Sequence, residues 1–309
     1  MTQSTTSYSN RHNLPEPVAA VLTADMYTKG PANASVTGLM GAPRVRLLAK
    51  SGSDEDVIDR LWTSLGTAWH SHAQNILSQY DESYIVEERY FTTIGGWIIS
   101  GQIDLQVPQP DGSIWIYDWK VTTSSKVSKG YSGEWEKQLN CYAYLVYKCT
   151  GKKVTKARVV AILRDHKRNL FKKPAPGDCG VKVYDIKLWP ISQQEAYLKQ
   201  RVKVHQDAEA DWAVGEPPPL CTYEEQWREP DRYAVVKKGG KRALRLHDTF
   251  EQAEEHAEQV GNAIVAIRYG TPKKCEANYC GVASVCEQRE HERLVMITAR
   301  KEGDDPYAD

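Results

Sequence analysis

The 309-residue chain lacks features that would place it in an extreme class of protein. It has no run of about 18 apolar residues, so no membrane-spanning helix is expected. The N-terminal stretch MTQSTTSYSNRHNLPEP contains no apolar segment of the kind found in secretion signals. Net charge is also lacking, since 40 Lys and Arg balance 40 Asp and Glu. This balance argues against a protein that coats nucleic acid through general basicity. We therefore expect a globular cytoplasmic protein.

Composition breaks divide the chain into four predicted segments. Residues 1–33 are polar and predict a loose lead-in. Residues 34–215 carry helical and strand patterns and predict the main core. The prolines of EPPPLC mark a break, after which residues 216–270 predict a small β-β-α-β insert. Residues 271–309 form a Cys-rich segment and tail.

The hydrophobic pattern of the core segment predicts an α/β fold. Helical spacing and strand alternation place the main elements as follows: helices at 54–79, 133–148 and 192–215, and strands at 83–93, 97–107, 113–121, 156–164 and 181–188. Ser53 and Asp54 are candidate caps of the first helix. Tight turns join the first three strands into an antiparallel meander. The order α-β-β-β-α-β predicts a mixed central β-sheet flanked by helices.

Two carboxylates and a lysine form the chemical centre of this pattern. Asp104 lies on the second predicted strand, while Asp118 and Lys120 lie on the third and share a face because side chains alternate. The hairpin brings Asp104 beside Asp118, and two such carboxylates suit Mg²⁺ or Mn²⁺. The Lys120 ammonium can orient a water or stabilise charge on a phosphate. The pattern predicts metal-assisted phosphodiester hydrolysis, although D-x-K alone also occurs among ordinary strand-end charges.

Two predicted helices add polar residues around these strands. Gly66 and His70 are one turn apart on the first helix, where the glycine would let another backbone or a ligand approach closely. Gln138 and Tyr142 are four residues apart on the second helix and share a face. A single helical histidine is more often a core or surface residue than a ligand. Neither motif alone therefore indicates a metal site, and only their combination is specific.

In this order, the motifs resemble the RecB-type branch of the PD-(D/E)XK nucleases, which includes the RecB and AddB nuclease domains and the CRISPR adaptation nucleases. The matching positions are Gly66 and His70 in G-x-x-x-H, Asp104 in G-x-I-D, Asp118 and Lys120 in D-x-K, and Gln138 and Tyr142 in Q-x-x-x-Y. The resemblance implies a restriction-endonuclease-like core, and a phage-encoded protein is one interpretation of it. It covers residues 60–150 by motif and 35–290 in architecture.

The resemblance also implies roles for individual residues. The implied ligands of Mg²⁺ or Mn²⁺ are His70, Asp104, Asp118 and the backbone carbonyl of Trp119. The implied catalytic residues are Asp104, Asp118, Lys120, Gln138 and Tyr142, the last two positioning the DNA backbone or the lysine. The family often carries an acid before the first turn of the meander. Glu87 and Glu88 occupy that place here, but a solvated strand edge is the favoured interpretation of both.

Seven cysteines are present, and a disulfide framework is not expected in a reducing compartment. Three of them crowd together near the C-terminus: Cys275, Cys280 and Cys286. Thiolates at such spacing bind zinc or an iron–sulfur cluster and need a fourth ligand. Cys221, which follows three prolines, is the favoured fourth. Cys141 lies in an amphipathic helix and is interpreted as a small buried apolar residue, while Cys149 and Cys179 have no partner pattern.

Several RecB-type nucleases hold a 4Fe–4S cluster with one distant and three C-terminal cysteines. The final C-x5-C of this chain matches that arrangement. The chain departs from it because no cysteine precedes the histidine motif; the first is Cys141. The resemblance thus implies a 4Fe–4S cluster, with Zn²⁺ as the alternative and free thiols as a third interpretation.

We therefore expect a deoxyribonuclease dependent on Mg²⁺ or Mn²⁺, acting as an exonuclease in recombination or repair with protein partners of those processes. A phage origin would place it in the host cytoplasm. One alternative is a non-catalytic scaffold that binds DNA or protein, which the intact Asp104, Asp118 and Lys120 disfavour. Another is a site-specific endonuclease, whose base-reading element would be the module at 231–268.

Overall fold

A computed structural model describes most of the chain. The described residues are 6–24, 30–52, 54–167, 179–240, 242–277 and 279–301. They divide into two compact units. The first, here called the sheet unit, comprises Tyr8–Pro43 and Asp56–Glu216; the second, the cysteine unit, comprises Met1–Ser7, Arg44–Glu55 and Pro217–Asp309. None of the helices in the described ranges has the length and apolar character needed to cross a membrane.

The strands, in chain order, are β1 (Ser7–Ser9), β2 (Ala34–Ser35), β3 (Asp54–Asp56), β4 (Ile85–Ile94), β5 (Trp97–Pro108), β6 (Ile114–Thr122), β7 (Val154–Leu163), β8 (Val181–Ile186), β9 (Arg232–Lys237), β10 (Ala243–His247) and β11 (Ala263–Arg268). The α-helices are α1 (Glu16–Thr23), α2 (Val36–Met40), α3 (Pro43–Leu48), α4 (Leu61–Tyr80), α5 (Gly133–Thr150), α6 (Ile191–Ala213), α7 (Phe250–Val260), α8 (Lys273–Glu276) and α9 (Glu287–Lys301). Short 3-10 turns occupy Ala49–Ser51, Val57–Arg60, Ser124–Val127 and Ala283–Val285.

A six-stranded mixed sheet forms the framework of the sheet unit. Its order is β2-β5-β6-β7-β8, with β4 paired to the other edge of β5. The pairs β4–β5, β5–β6 and β7–β8 are antiparallel, while β2–β5 and β6–β7 are parallel. The predicted α/β fold with a mixed central sheet and flanking helices is confirmed, as is the antiparallel meander of β4, β5 and β6.

Helix α5 supplies much of the core packed on this sheet. Ser132 caps its first turn by accepting a hydrogen bond from a backbone N–H, and the left-handed Gly151 ends it. Leu145 of α5 is fully buried, a burial that contributes roughly 2 kcal/mol. A side chain at Gly101 of β5 would place its Cβ only 2.9 Å from Cδ2 of Leu145 and 3.0 Å from Cε1 of Tyr142. Glycine is therefore required where α5 meets β5.

The first long helix begins later than predicted, at Leu61 rather than near residue 54. Asp54 lies in strand β3, and Ser53 is outside the described residues. The neighbouring Asp56 is buried and accepts hydrogen bonds from Ser9 Oγ at 2.7 Å and from the Arg11 backbone at 2.9 Å. These partners, more than 40 residues away in sequence, hold the segment extended before the helix.

The lead-in expected to be loose over residues 1–33 is partly ordered. Its described portion contains β1 and the eight-residue helix α1, of which Leu22 is buried. Residues 1–5 and 25–29 of that stretch lie outside the described residues.

The cysteine unit contains a small three-stranded antiparallel sheet of order β10-β9-β11. The central strand β9 pairs with both neighbours, and its Ala234 and Val235 are fully buried. Helix α7 contributes the buried Ala253. Thr249 caps α7 by accepting a hydrogen bond from the Gln252 backbone. Beyond this sheet, Cys275 lies in α8, Cys280 lies between α8 and the 3-10 turn Ala283–Val285, and Cys286 lies between that turn and α9.

Candidate active site

Asp104 lies where strand β5 changes partners. Along one edge, β5 pairs with β2 up to Ser100 and with β6 from Leu105, and Asp104 falls between these pairings. Its buried carboxylate accepts a hydrogen bond from the backbone N–H of Trp119, 2.7 Å from Oδ2. The carboxylate thereby satisfies a backbone donor just beyond the β5–β6 ladder. It is also fixed beside the Trp119 peptide, the unit whose carbonyl is the predicted metal ligand.

His70 of α4 and Glu87 of β4 lie next to Asp104. Nδ1 of His70 is 3.2 Å from Oε1 of Glu87 and 3.6 Å from Oδ1 of Asp104. The Glu87 side chain is only 12% exposed and accepts a hydrogen bond from Gln102 at 2.9 Å. The solvated strand edge favoured for Glu87 from the sequence is therefore wrong, whereas Glu88 is exposed as expected.

The register of the β4–β5 ladder accounts for the position of Glu87. Glu87 stands opposite Asp104, between the Val86–Leu105 and Glu88–Ile103 pairs. Residues that stand opposite each other in paired strands share a face, so this register places Glu87 beside Asp104. The φ of Glu87 is +52°, a left-handed conformation that a strand residue rarely adopts. A sequence signal existed in the acidic pair at 87 and 88, but the strand register that selects Glu87 could not be read from the sequence.

Asp118 and Lys120 share one face of β6, as alternation predicts. Nζ of Lys120 lies 2.6 Å from Oδ2 of Asp118. The amide of Gln138 donates to the other carboxylate oxygen at 3.1 Å and contacts the Tyr142 hydroxyl at 3.0 Å. Asp118, Gln138 and Tyr142 are all buried, while the Lys120 side chain is 25% exposed. Helix α5 thus fixes the Asp118 carboxylate through Gln138, while a quarter of the Lys120 side chain stays exposed.

Negative charge is concentrated in this site. Burial, and then the charge of Asp118, raises the pKa of Asp104 to about 7. Burial lowers the pKa of His70, but the hydrogen bond to Glu87 and the charge of Asp104 outweigh it, so the pKa is raised. For Lys120, the attraction of Asp118 and Asp104 likewise overcomes the effect of burial and raises the pKa. The site therefore attracts positive charge.

The residues present fit a divalent cation. The ligand atoms of His70, Glu87 and Asp104 lie within 4.8 Å of one another. Carboxylate oxygens are the ligands that Mg²⁺ and Mn²⁺ prefer, and the raised pKa of Asp104 marks charge that a cation would offset. Asp118, a predicted ligand, instead contacts Lys120 and Gln138 here. Glu87, which the sequence did not favour, completes the acidic group.

Gly66 has a different environment from the one expected. A Cβ at this position would meet no heavy atom within 4 Å in the described part of the chain. No backbone therefore presses on this glycine there, and a close approach by a ligand stays a prediction.

An aromatic and basic rim follows the C-terminal ends of the parallel strands β6 and β7. Arg164, directly after β7, donates its backbone N–H to Thr122 of β6. Its guanidinium lies 3.7 Å from the ring centroid of Trp62, which is 49% exposed on α4. Lys126 and Lys129 are exposed on the loop after β6. The helix that carries His70 thus also presents a stacked aromatic–arginine pair.

The four predicted cysteine ligands, Cys221, Cys275, Cys280 and Cys286, all lie within the cysteine unit. All four are partly exposed. Burial, then Glu225 and the three other cysteines, raises the pKa of Cys221 to about 12. Burial, followed by Cys280 and Cys286, raises that of Cys275 to about 11. Cys221 and Cys275 are therefore within electrostatic range of other cysteines in this set.

Hydrogen bonds fix the backbone of Cys221 against helix α9. The side chain of Gln288 accepts from the Cys221 N–H at 2.8 Å and donates to its carbonyl at 3.0 Å. The other three cysteines of the chain lie apart in the sheet unit. Cys141 is buried in the core, while Cys149 and Cys179 are exposed and donate to backbone carbonyls.

Comparison with known proteins places the chain in a family. No curated protein matches it. A solved structure described as "Crystal structure of SSO0001" has 18% identity over 58% of this chain and 79% of that chain, with a TM-score of 0.40. That likeness is too low to support a conclusion. The model of the PD-(D/E)XK nuclease superfamily matches residues 44–287, well over half of the chain. The chain therefore belongs to the PD-(D/E)XK nuclease superfamily, a membership that indicates metal-dependent nuclease activity.

Proposed function

We propose that the protein is a deoxyribonuclease of the RecB type that depends on Mg²⁺ or Mn²⁺ and acts as an exonuclease in recombination or repair. The observation that carries this proposal is the meeting of His70, Glu87 and Asp104 beside the Asp118–Lys120 pair. Acidic ligands can hold the cation that assists phosphodiester hydrolysis, and an ammonium can stabilise the charge that develops on the phosphate.

Each residue of the site has a distinct part in this proposal. His70, Glu87 and Asp104 would hold the cation, with the Trp119 carbonyl and Asp118 completing its surroundings. A bound divalent cation supplies Lewis-acid stabilisation of the phosphate and lowers the pKa of water. The Lys120 ammonium, at the end of a side chain that is 25% exposed, would face the developing negative charge and orient the attacking water.

The residues behind the lysine act by positioning it. Asp118 holds the Lys120 ammonium at 2.6 Å and keeps it charged, since its negative charge raises the lysine pKa. Gln138 fixes the orientation of Asp118, and the Tyr142 hydroxyl in turn holds the Gln138 amide. The chain of contacts connects helix α5 to the reacting groups.

DNA would reach this site along the rim formed by Trp62, Arg164, Lys126 and Lys129. Lys129 offers charge to phosphates, Lys126 would exchange its ion pair with Glu134 for a phosphate, and the Trp62 ring offers a face on which a base can stack. The stacked Arg164 guanidinium adds both kinds of interaction.

We further propose that Cys221, Cys275, Cys280 and Cys286 bind a 4Fe–4S cluster, or Zn²⁺ as the alternative. The mutual electrostatic influence of the four thiols supports this assignment. The centre would be structural, because phosphodiester hydrolysis needs no electron transfer. Anaerobic purification followed by iron, sulfide and zinc analysis separates the two metals. A protein without any of them would refute the centre.

The nuclease proposal is tested with linear and circular DNA, single- and double-stranded, in Mg²⁺, Mn²⁺ or EDTA. An exonuclease degrades only DNA with ends, whereas a site-specific endonuclease cuts circles and a scaffold cuts nothing. Asp118→Asn should abolish cleavage. Asp185→Asn, on the exposed edge strand β8 of the same sheet, is the matched control and should remain active. Metal-dependent cleavage that survives in Asp118→Asn would overturn the assigned site.

A further inference from the structure

Arg44 of helix α3 is a buried cation with an unusual set of partners. Only 3% of the residue is exposed. Its Nη1 donates to the carbonyl of Pro218 at 2.6 Å, and its Nε donates to the sulfur of Cys286 at 3.4 Å. In the described part of the chain, Arg44 forms no ion pair with a carboxylate. By contrast, the nearly buried Arg228 of the same unit pairs with Glu292.

A guanidinium in this environment needs a negative partner. Arginine stays protonated in proteins, and burying a charge without compensation is costly. A carbonyl oxygen supplies only a dipole, and a neutral thiol is a weak acceptor. A thiolate would instead form a charge-assisted hydrogen bond, which is about twice as strong as a neutral one. The contact with Cys286 therefore suits a sulfur that ligates a metal, because a ligating sulfur carries negative charge.

The charge of a loaded cysteine centre meets this need. Four thiolates around a doubly charged metal or cluster core leave a net charge of roughly −2. Hydrogen bonds to the ligating sulfurs, net charge and burial set the potential and retention of such centres. Arg44 comes from a position 242 residues away from Cys286 in the chain, so the contact arises from the fold and not from local sequence.

We propose that Arg44 is the counter-charge of the cysteine centre, stabilising its metal-loaded thiolate form through the hydrogen bond to Cys286. The inference rests on the proposal that the four cysteines bind metal. The competing explanation is that Arg44 only fastens α3 to the Pro218 loop through its carbonyl contact. The two explanations differ in how the metal centre responds to loss of the charge.

The test compares four full-length proteins purified without oxygen: wild type, Arg44→Lys, Arg44→Gln and the control Lys273→Gln. Lys273 lies two residues before Cys275, but its side chain is 58% exposed and paired with Glu229, so solvent screens its charge. Iron, sulfide and zinc per chain are measured, then metal loss to a chelator and, for an iron-loaded protein, the reduction potential. Circular dichroism checks that each variant is folded.

We expect Arg44→Gln to lose metal about tenfold faster than wild type, because the substitution weakens a hydrogen bond to a charged group and such a loss has roughly this effect. In an iron-loaded protein its potential should also be more negative, because a nearby positive charge favours the reduced cluster. Arg44→Lys, which keeps the charge, should lie between the two, and Lys273→Gln should match wild type. Metal loss and potential that are unchanged in Arg44→Gln would overturn the inference, as would equal defects in Arg44→Lys and Arg44→Gln. Absence of metal from wild type would instead overturn the cysteine centre itself.

Discussion

The two candidate sites of this molecule are built in opposite ways. The acidic site stands on long, paired strands, and its buried groups hold one another: Asp104 by the Trp119 N–H, and Asp118 by Lys120 and Gln138. The cysteines lie on short helices and turns and are partly exposed. One site is arranged by its sheet before any metal binds, whereas the other has little secondary structure to arrange it. Metal should therefore serve chemistry in the first site and folding in the second.

The largest expected effect is the loss of a cysteine ligand. Cys275→Ser should abolish metal binding at the centre. The cysteine unit should then lose several kcal/mol of stability, since structural zinc binding contributes roughly 10–16 kcal/mol. Metal content per chain and thermal unfolding measure both effects. Cys149→Ser removes an exposed thiol outside the cluster and serves as control. Full metal occupancy in Cys221→Ser would remove that residue from the site, and full occupancy in Cys275→Ser would contradict the proposed division of roles.

The acidic site should respond in activity more than in stability. Lys120→Ala removes the accessible ammonium and should lower kcat about 10³-fold, the scale for losing one stabiliser of transition-state charge. The sheet should persist, because Gln138 still donates to Asp118. Lys156→Ala on the adjacent strand β7 changes the same residue type away from the site and should keep activity. Rates measured at saturating Mn²⁺, together with circular dichroism, check this; near-normal turnover in Lys120→Ala would exclude the role.

The stability of the metal-free protein should also distinguish the acidic site from the cysteine centre. The pKa of Asp104 is raised from 3.8 to about 7, so the folded metal-free protein holds a proton that the unfolded chain releases at lower pH. The stabilising contribution of that proton is complete below about pH 4 and is lost as pH rises through 7. Asp104→Asn should therefore be more stable than wild type at pH 8 in EDTA, by about 2 kcal/mol, and the gain should shrink towards pH 4.

Adding Mn²⁺ should reverse this order, because wild type gains binding energy that the variant lacks. Urea unfolding at pH 4, 6 and 8 with and without metal gives the comparison. Asp207→Asn, an exposed carboxylate on α6, is the control and should show no such reversal. If Asp104→Asn were less stable than wild type in EDTA at pH 8, the cost of burying the Asp104 charge beside Asp118 would be absent.

The difference between local and long-range determinants of structure explains which features the sequence could predict. The meander, the shared face of Asp118 and Lys120, and the pairing of Gln138 with Tyr142 depend on local periodicity and are found in the structure. The position of Glu87 depends on the register between β4 and β5, which sets it opposite Asp104. The late start of α4 depends on contacts made by Asp56 across more than 40 residues. Local periodicity therefore missed features that depend on strand register and on long-range contacts.

The smallest expected effect concerns the rim beside the acidic site. Trp62→Ala should weaken binding of single-stranded DNA about fivefold, since stacking of one base contributes about 1 kcal/mol at the low end of its range. The Lys120→Ala background prevents cleavage during the measurement. Tyr80→Ala removes another exposed aromatic from the same helix, at its far end, and should leave affinity unchanged. Arg164→Ala should act differently, lowering the slope of affinity against salt as a phosphate contact is lost. If Trp62→Ala and Tyr80→Ala bound equally well, DNA would not pass over Trp62, and the exposed face of α4 would need another ligand.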